Sequence, residues 1–218
     1  MKCNIQEARF VVLDSELTGL DEKKDSIVSI GAVRMRGGRI ELGDSFYRLI
    51  NPETSLTAAS VVIHEIMPSE VSEKPSIETV LAEFLKYCGD AVLVGFCISI
   101  DMDFLSRETR RLFGSCISNP AIDIRPLYEW ARQKEEQRGS SAALPRQYRL
   151  YDVARHFDIQ VSSAHNAMVD AYLTAQIFQR LIPILVEAGI TSIGDLTKLS
   201  DRLKGGDWLF ASHNTCSL

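Results

Sequence analysis

Residues 10–20 read Phe10-Val11-Val12-Leu13-Asp14-Ser15-Glu16-Leu17-Thr18-Gly19-Leu20 and carry the strongest structural pattern in the chain. The first four residues are all apolar, which is typical of a central strand buried on both faces. The run ends in charge at Asp14 and Glu16, and side chains two residues apart on an extended chain project to the same side. Two such carboxylates repel each other unless a cation lies between them. Alone, the pair is more often a strand end that enters a polar loop.

The segments on either side predict an α/β protein with a mixed sheet. Residues 27–35 and 40–50 are rich in β-branched and aromatic residues, and Gly37-Gly38 between them is typical of a hairpin turn. Apolar runs predict two more strands, at 91–94 and 121–122. Helical patterns predict six helices, at 76–88, 99–111, 126–132, 149–157, 166–182 and 191–199. Pro183 is expected to kink the long helix or restart it. This order fits a partly antiparallel, partly parallel sheet with helices on both faces.

Length and composition exclude several classes of protein. The 218 residues fit one domain with a short appendage. Apolar runs such as Ala91 to Ile100 fall far short of the roughly 20 residues that span a bilayer, so we expect no membrane contact. The five cysteines include no Cys-x-x-Cys pair, which favours free thiols in the cytoplasm over a disulfide scaffold or a zinc site. The net charge of −5 argues against a broad basic DNA-binding surface, although residues 105–155 hold ten basic and six acidic side chains.

Two further carboxylates stand where apolar packing is expected. Asp101 lies in the first turn of the helix after the second buried strand, and the helix dipole favours a carboxylate there. Asp103 competes with it, but Phe104 and Leu105 should face the core and so place Asp101 at the strand-end edge. Asp170 shares a helical row with Leu173, Ile177 and Leu181. A carboxylate buried in such a row requires a basic partner or a metal ion.

The four acids together predict a metal centre. Oxygen-only ligands suit Mg²⁺ or Mn²⁺, and carboxylates that converge at strand ends are typical of a two-metal site for phosphoryl transfer. His165 lies five residues before Asp170, near the start of the same helix. A lone histidine there is usually structural, but beside a metal centre it could serve as a general base.

At this point the residues resemble the DnaQ-like DEDDh 3′–5′ exonuclease family. Residues 10–20 resemble its first motif, with Asp-x-Glu-x-Thr-Gly-Leu intact, and residues 93–105 resemble the second, with Asp101 at the family's aspartate. Residues 165–170 match the His-x4-Asp of the third motif. The combination is specific although no single motif is. The resemblance implies an RNase H-like fold, with an exonuclease domain over residues 8–187 and a C-terminal extension of unknown role over 188–218.

The resemblance also implies a mechanism and a set of site residues. Two divalent cations, Mg²⁺ or Mn²⁺, would be held by four carboxylates: Asp14, Glu16, Asp101 and Asp170. His165 would deprotonate the attacking water, and a nucleoside 5′-monophosphate would leave the 3′ end of single-stranded or frayed DNA or RNA. Thr18, Gly19, Leu20 and Phe104 would contact the last nucleotide. The expected partners are nucleic acid 3′ ends and a DNA polymerase or another replication or repair protein.

The second motif departs from the family pattern. His-Asn usually stands shortly before Phe-Asp, whereas this chain has Phe96-Cys97 before Ile100-Asp101. The loss of the polar pair and of a phenylalanine that could stack on a base leaves two other functions open. One is a weakly active or non-catalytic module that binds nucleic acid or a polymerase. The other is a phosphodiesterase for small substrates.

Overall fold

A five-stranded mixed sheet forms the centre of the computed structural model, which describes residues 3–137, 149–161 and 165–204. The strands are β1 (Arg9–Leu17), β2 (Ile27–Arg36), β3 (Arg39–Leu49), β4 (Val92–Gly95) and β5 (Ala121–Asp123), in the order β3-β2-β1-β4-β5. The pairs β1–β2 and β2–β3 are antiparallel, and the pairs β1–β4 and β4–β5 are parallel. The predicted mixed sheet, including the hairpin at Gly37-Gly38, is confirmed.

Eight helices are present in the described part of the chain. They are α1 (Ala58–His64), α2 (Pro68–Val71), α3 (Ile77–Cys88), α4 (Ser99–Phe113), α5 (Ile124–Gln137), α6 (Leu150–His156), α7 (Ala167–Glu187) and α8 (Ile193–Lys204). Of the two outcomes expected at Pro183, a kink or a restart, the helix does not restart there, because Pro183 lies inside α7. The flanking Leu181, Ile182 and Leu185 are buried, and this burial offsets the hydrogen bond that the proline cannot make.

The central strand β1 buries alternate side chains against opposite helical layers. Phe10 and Val12 belong to a core formed with α5, α6, α7 and α8, and the Phe10 and Phe178 rings meet edge to face at 5.1 Å. Val11 and Leu13 belong to the core on the other face, formed with α3 and α4. Because successive side chains of a strand point to opposite faces, this register directs the even-numbered residues of β1 toward α7.

The described part of the C-terminal extension packs on the same domain. Ile193, Leu196 and Leu199 of α8 are buried in the core that α5 and α7 share. The backbone ties this region to the start of the chain, since Ile5 N donates to Thr191 O and Ile193 N donates to Cys3 O, both at 2.9 Å. The boundary at residue 187 stays a prediction, and residues 205–218 lie outside the described residues. No helix among the described residues is long and apolar enough to span a bilayer.

Candidate active site

Three predicted metal ligands meet where β1 passes the first turn of α7. Asp14 and Glu16 project from β1, and Asp170 projects from α7 toward them. One carboxylate oxygen from each lies within 4.8 Å of the others. Glu16 and Asp170 are only 5% and 6% exposed, while Asp14 is partly exposed. The spacing of two residues on the strand therefore does place both acids on one side, as predicted.

Asp101 comes from the other helical layer and lies near enough for its charge to raise the pKa of Asp14 and of Glu16. It lies in the first turn of α4 and is 6% exposed, and the hydroxyl of Ser15 donates to its Oδ1 at 2.5 Å. Ser15 lies between Asp14 and Glu16 in β1, so its side chain points to the opposite face of the strand from theirs. Asp103, the competing candidate, is exposed, and Phe104 and Leu105 are buried, as the sequence predicts.

A glycine lets α7 start against the sheet. Gly31 of β2 pairs with Asp14, and a Cβ at Gly31 would lie 2.3 Å from the carbonyl carbon of Ala167, where real side chains cannot fit. Asn166 caps the helix, its Oδ1 accepting from Met168 N at 3.1 Å and Val169 N at 3.3 Å. The close approach at Gly31 and this cap set the height of Asp170 above β1.

Burial makes this group of acids electrostatically unfavourable on its own. It raises the pKa of Glu16 to about 8 and that of Asp101 to about 7, with neighbouring acids contributing. The pKa of Asp14 is raised well above its ordinary value by burial and by the charges of Asp101, Glu16 and Asp170. None of the ion pairs found among the described residues involves these carboxylates. An oxygen-only set of buried acids fits hard divalent cations such as Mg²⁺ or Mn²⁺.

Tyr151 of α6 connects His165 to this group. Its hydroxyl donates to both oxygens of Asp170, at 2.9 and 2.8 Å, and its oxygen accepts a hydrogen bond from the backbone N–H of His165 at 2.8 Å. Burial raises the pKa of Tyr151, so the hydroxyl stays protonated and remains a donor. His165 has a φ of 59° and is partly exposed, and its ring lies 5.7 Å from that of Tyr151.

Three of the four residues predicted to contact substrate, Thr18, Gly19 and Leu20, lie on the turn between β1 and β2, residues 18–26. Thr18 is 2% exposed and is held within the turn, whereas the side chain of Leu20 is 50% exposed. Phe104 is 1% exposed and packs in the core on the α3 and α4 face, behind the turn. Its contact with the substrate, like those of Thr18, Gly19 and Leu20, stays a prediction.

The altered second motif forms a tight bend between β4 and α4. Cys97 is 9% exposed and has a φ of 57°, a conformation that side chains other than Gly, Asn and Asp rarely adopt. Its backbone N–H donates to Asp123 Oδ1 at 3.0 Å, and Arg125 Nη1 lies 3.7 Å from its sulfur. The pKa of Asp101 is also raised by the charge of Asp123. Asp123 of β5 therefore links the bend to Asp101, one of the predicted metal ligands.

Three residues of the site were missed by the sequence reasoning: Ser15, Gly31 and Tyr151. A glycine inside a strand pattern is a known sign of close backbone approach, so Gly31 could have been found. Ser15 and Tyr151 carry no comparable signal. Their roles depend on which helix lies opposite them.

Comparison with known proteins agrees with this geometry. A family model described as "Exonuclease" matches residues 11–178. The DNA polymerase III subunit epsilon of Aquifex aeolicus is 32% identical over 208 residues, which cover 94% of this chain and 95% of that protein. The PolC-type DNA polymerase III of Thermotoga maritima is 34% identical over 197 residues, 90% of this chain but 14% of the polymerase. The chain thus spans about one seventh of such PolC-type relatives.

Solved structures show the same fold. Escherichia coli Exonuclease I in complex with a dT13 oligonucleotide matches with a TM-score of 0.70 and 18% identity, over 84% of this chain and 42% of that chain. Exonuclease X in complex with 5′ overhanging duplex DNA matches with a TM-score of 0.62 and 23% identity, over 88% and 99%. The fold is RNase H-like. The family model over residues 11–178 and the 32% identity with the Aquifex aeolicus subunit along nearly its whole length show that the chain belongs to the DnaQ-like DEDDh family of 3′–5′ exonucleases.

Proposed function

We propose that this chain removes nucleotides from the 3′ end of single-stranded or frayed DNA or RNA and releases nucleoside 5′-monophosphates. The observation that carries the proposal is the meeting of Asp14, Glu16 and Asp170, with Asp101 alongside and His165 tied to Asp170 through Tyr151. Exonuclease I and Exonuclease X, which share the fold, were solved in complex with DNA. Nucleic acid 3′ ends are therefore the proposed substrate.

Four carboxylates would hold two divalent cations, Mg²⁺ or Mn²⁺: Asp14, Glu16, Asp101 and Asp170. When bound, such cations lower the pKa of a water and stabilise charge on the attacking and leaving oxygens. The protein contributes the preset geometry. Ser15 orients Asp101 and Tyr151 orients Asp170, so neither carboxylate depends on the cations alone for its rotamer.

His165 is the proposed general base. Its backbone is fixed by Tyr151, and its side chain is partly exposed, so the imidazole can take a proton from the attacking water and pass it to solvent. The neighbouring carboxylate of Asp170 would stabilise the imidazolium that forms, since opposite charges at short range favour the charged form. His165 needs no bond to metal in this role.

The 18–26 turn is the proposed binding site of the terminal nucleotide. It follows directly from the strand that carries Asp14 and Glu16, so a nucleotide whose phosphate lies at the acids would extend past the turn. Leu20 offers an exposed apolar side chain there, suited to the face of a base. Thr18 and Gly19 would contribute the shape of the turn. A DNA polymerase or another replication or repair protein is the proposed partner, since the relatives include a polymerase subunit and polymerases.

The test is release of mononucleotides from a 5′-labelled single strand in Mg²⁺ or Mn²⁺. We expect a ladder that shortens from the 3′ end, loss of at least about 100-fold in rate for Asp14→Asn, and two Mn²⁺ per chain by calorimetric titration. Asp103→Asn, which changes an exposed acid of the same helix turn, is the matched control and should keep full activity.

The alternatives predict other results. If the chain is a binding module, wild type and Asp14→Asn should bind the oligonucleotide with equal affinity, and neither should degrade it. A small-substrate phosphodiesterase would hydrolyse a nitrophenyl ester of thymidine 5′-monophosphate at a rate independent of salt, and would leave the oligonucleotide intact. A strand-degrading enzyme should instead lose affinity steeply as salt increases, because each phosphate contact releases counterions.

A further inference from the structure

We propose that Arg107 is a positioning residue that clamps the 18–26 turn against α4 and thereby sets the affinity of the site for the 3′-terminal nucleotide. The inference rests on the proposed function, because it assigns the turn to substrate binding. It concerns a residue outside the three motifs, on the helix that also carries Asp101.

The turn is organised around Asp25. Its Oδ1 accepts a hydrogen bond from the Thr18 hydroxyl at 2.8 Å, and its Oδ2 accepts one from the Asp21 N–H at 2.9 Å. The carboxylate fills the space beside Gly19, where an added Cβ would lie 2.5 Å from Asp25 Oδ2. The Asp25 carboxylate therefore joins parts of the turn that backbone hydrogen bonds also close, such as the one from Thr18 N to Ser26 O at 2.9 Å. The shape of the turn depends on where the backbone of Asp25 is held.

Arg107 holds that backbone from outside. One guanidinium nitrogen donates to the carbonyl oxygen of Asp25 at 2.9 Å, and another donates to the carbonyl oxygen of Glu22. These two carbonyls belong to the second half of the turn, residues 22–25. A planar guanidinium can serve both at once, whereas the ammonium of a lysine is a single point of attachment.

The guanidinium is itself fixed before any substrate binds. Its Nε donates to Glu108 Oε1 at 2.8 Å, and its carbon lies 5.0 Å from the centroid of the Phe104 ring. Glu108 is 6% exposed, and its second oxygen accepts from Arg111 at 2.5 Å. Arg111 also donates to Glu53 at 2.8 Å. A side chain held by such a network, with the buried Glu108 at its centre, loses little further entropy when it binds the turn.

The clamp ties two parts of the site together. Asp101 and Arg107 are six residues apart on α4, about 9 Å along the helix axis. Asp14 and Glu16 immediately precede the turn on β1. When the turn is already ordered in the free protein, less conformational entropy is lost as the terminal nucleotide binds. Loss of the clamp should therefore weaken binding while leaving the carboxylates and His165 in place.

The experiment compares steady-state kinetics of wild type, Arg107→Ala, Arg107→Lys and Arg110→Ala on a short single strand. We expect KM to rise about tenfold for Arg107→Ala with kcat within about twofold, and a smaller rise for Arg107→Lys. Arg110→Ala removes the same charge from the exposed side of the helix, where the guanidinium lies 3.9 Å from the Cys116 sulfur, and should leave KM within twofold. A fall in kcat with unchanged KM for Arg107→Ala would overturn the proposal.

A double-mutant comparison separates the clamp from a direct phosphate contact. If Arg107 acts through the turn, then Arg107→Ala should change KM by less than twofold in an Asp25→Ala background, because the turn is already loose. A full tenfold effect in that background, together with a salt slope reduced by about 0.7, would show that Arg107 binds a phosphate of the strand itself and would overturn the proposal.

Hydrogen exchange keeps the inference testable if the proposed function fails. Amides of residues 18–26 should exchange faster in Arg107→Ala than in Arg110→Ala, in protein without nucleic acid. Unchanged exchange in that turn would refute the clamp whether or not the chain degrades a strand. A wild type without nuclease activity but with faster exchange in Arg107→Ala would refute the substrate assignment while preserving the clamp.

Discussion

Tyr151 donates its hydroxyl to both oxygens of Asp170, at 2.9 and 2.8 Å, and accepts the backbone N–H of His165 at 2.8 Å. One phenol thus sets two groups of the site, a carboxylate from α7 and the backbone of the proposed base. Tyr151 belongs to none of the three motifs. A helix of seven residues brings it to this place.

Tyr151→Phe should therefore reduce kcat more than it changes KM. The substitution leaves the His165 N–H without its acceptor and Asp170 without its donor. We expect a 10- to 100-fold loss of kcat, roughly the effect of a small misplacement of reacting groups. The unfolding free energy should fall by about 1–2 kcal/mol. Tyr172→Phe, a partly buried tyrosine of α7, is the control. A kcat within twofold of wild type in Tyr151→Phe would contradict this role.

Gly31→Ala should displace α7 from the sheet. The new Cβ would lie 2.3 Å from the backbone of Ala167, and neither β2 nor the helix start can yield as a flexible side chain would. We expect a loss of about 1–3 kcal/mol in stability by urea denaturation and a lower affinity for Mn²⁺, because Asp170 moves with the helix. Gly43→Ala adds the same methyl group to the exposed strand β3, where nothing lies within 4 Å. Equal stability of the two variants would refute the close-approach argument.

The metal-free protein should lose stability as the pH rises from about 5 to about 8. Burial raises the pKa of Glu16 from 4.5 to about 8 and that of Asp101 from 3.8 to about 7. In this window the folded chain holds protons that the unfolded chain has released, so unfolding becomes more favourable with each rise in pH. Well below pH 3.8, the ordinary pKa of Asp101, both states are protonated and this contribution is fully present.

Divalent cations should reverse that trend. Mn²⁺ binds the deprotonated carboxylates, so the increase in melting temperature that it causes should be larger at pH 8 than at pH 5.5. Melting curves in chelator and in Mn²⁺ across this range provide the measurement. Glu16→Gln should flatten the metal-free profile. A metal-free melting temperature that rises from pH 5 to pH 8 would show that the acids are not raised in pKa.

Cys97→Asn should stabilise the protein by about 0.5–1 kcal/mol. Cys97 has a φ of 57°, and asparagine adopts that region with less strain than cysteine does. An asparagine oxygen could also accept from Arg125, whose Nη1 now lies 3.7 Å from the sulfur. Chemical denaturation provides the measurement, with Cys116→Asn at an exposed position as control. A loss of stability in Cys97→Asn alone would show that the buried site is shaped for the thiol.

Local patterns made most of the fold predictable. A few neighbouring residues were enough to predict an element in each case: the apolar run at residues 10–13, the paired glycines of the hairpin, and the apolar rows of α3 and α7. Three of the four acids were predictable for a related reason. A charge in an apolar strand or a buried helical row conflicts with its surroundings, and this conflict marks Asp14, Glu16 and Asp170.

Sequence patterns predicted the five strands in chain order, six of the eight helices of the described residues, the acids that break the apolar pattern and the family resemblance of the three motifs. Only the packing of distant elements shows that Ser15 donates to Asp101, that Gly31 admits α7, and that Tyr151 joins His165 to Asp170. It also placed Arg107 against the 18–26 turn, 85 residues from Glu22 in the chain. The reason is physical. Periodicity encodes which face of an element is buried, but a hydrogen bond between distant elements depends on the packing that brings them within about 3 Å.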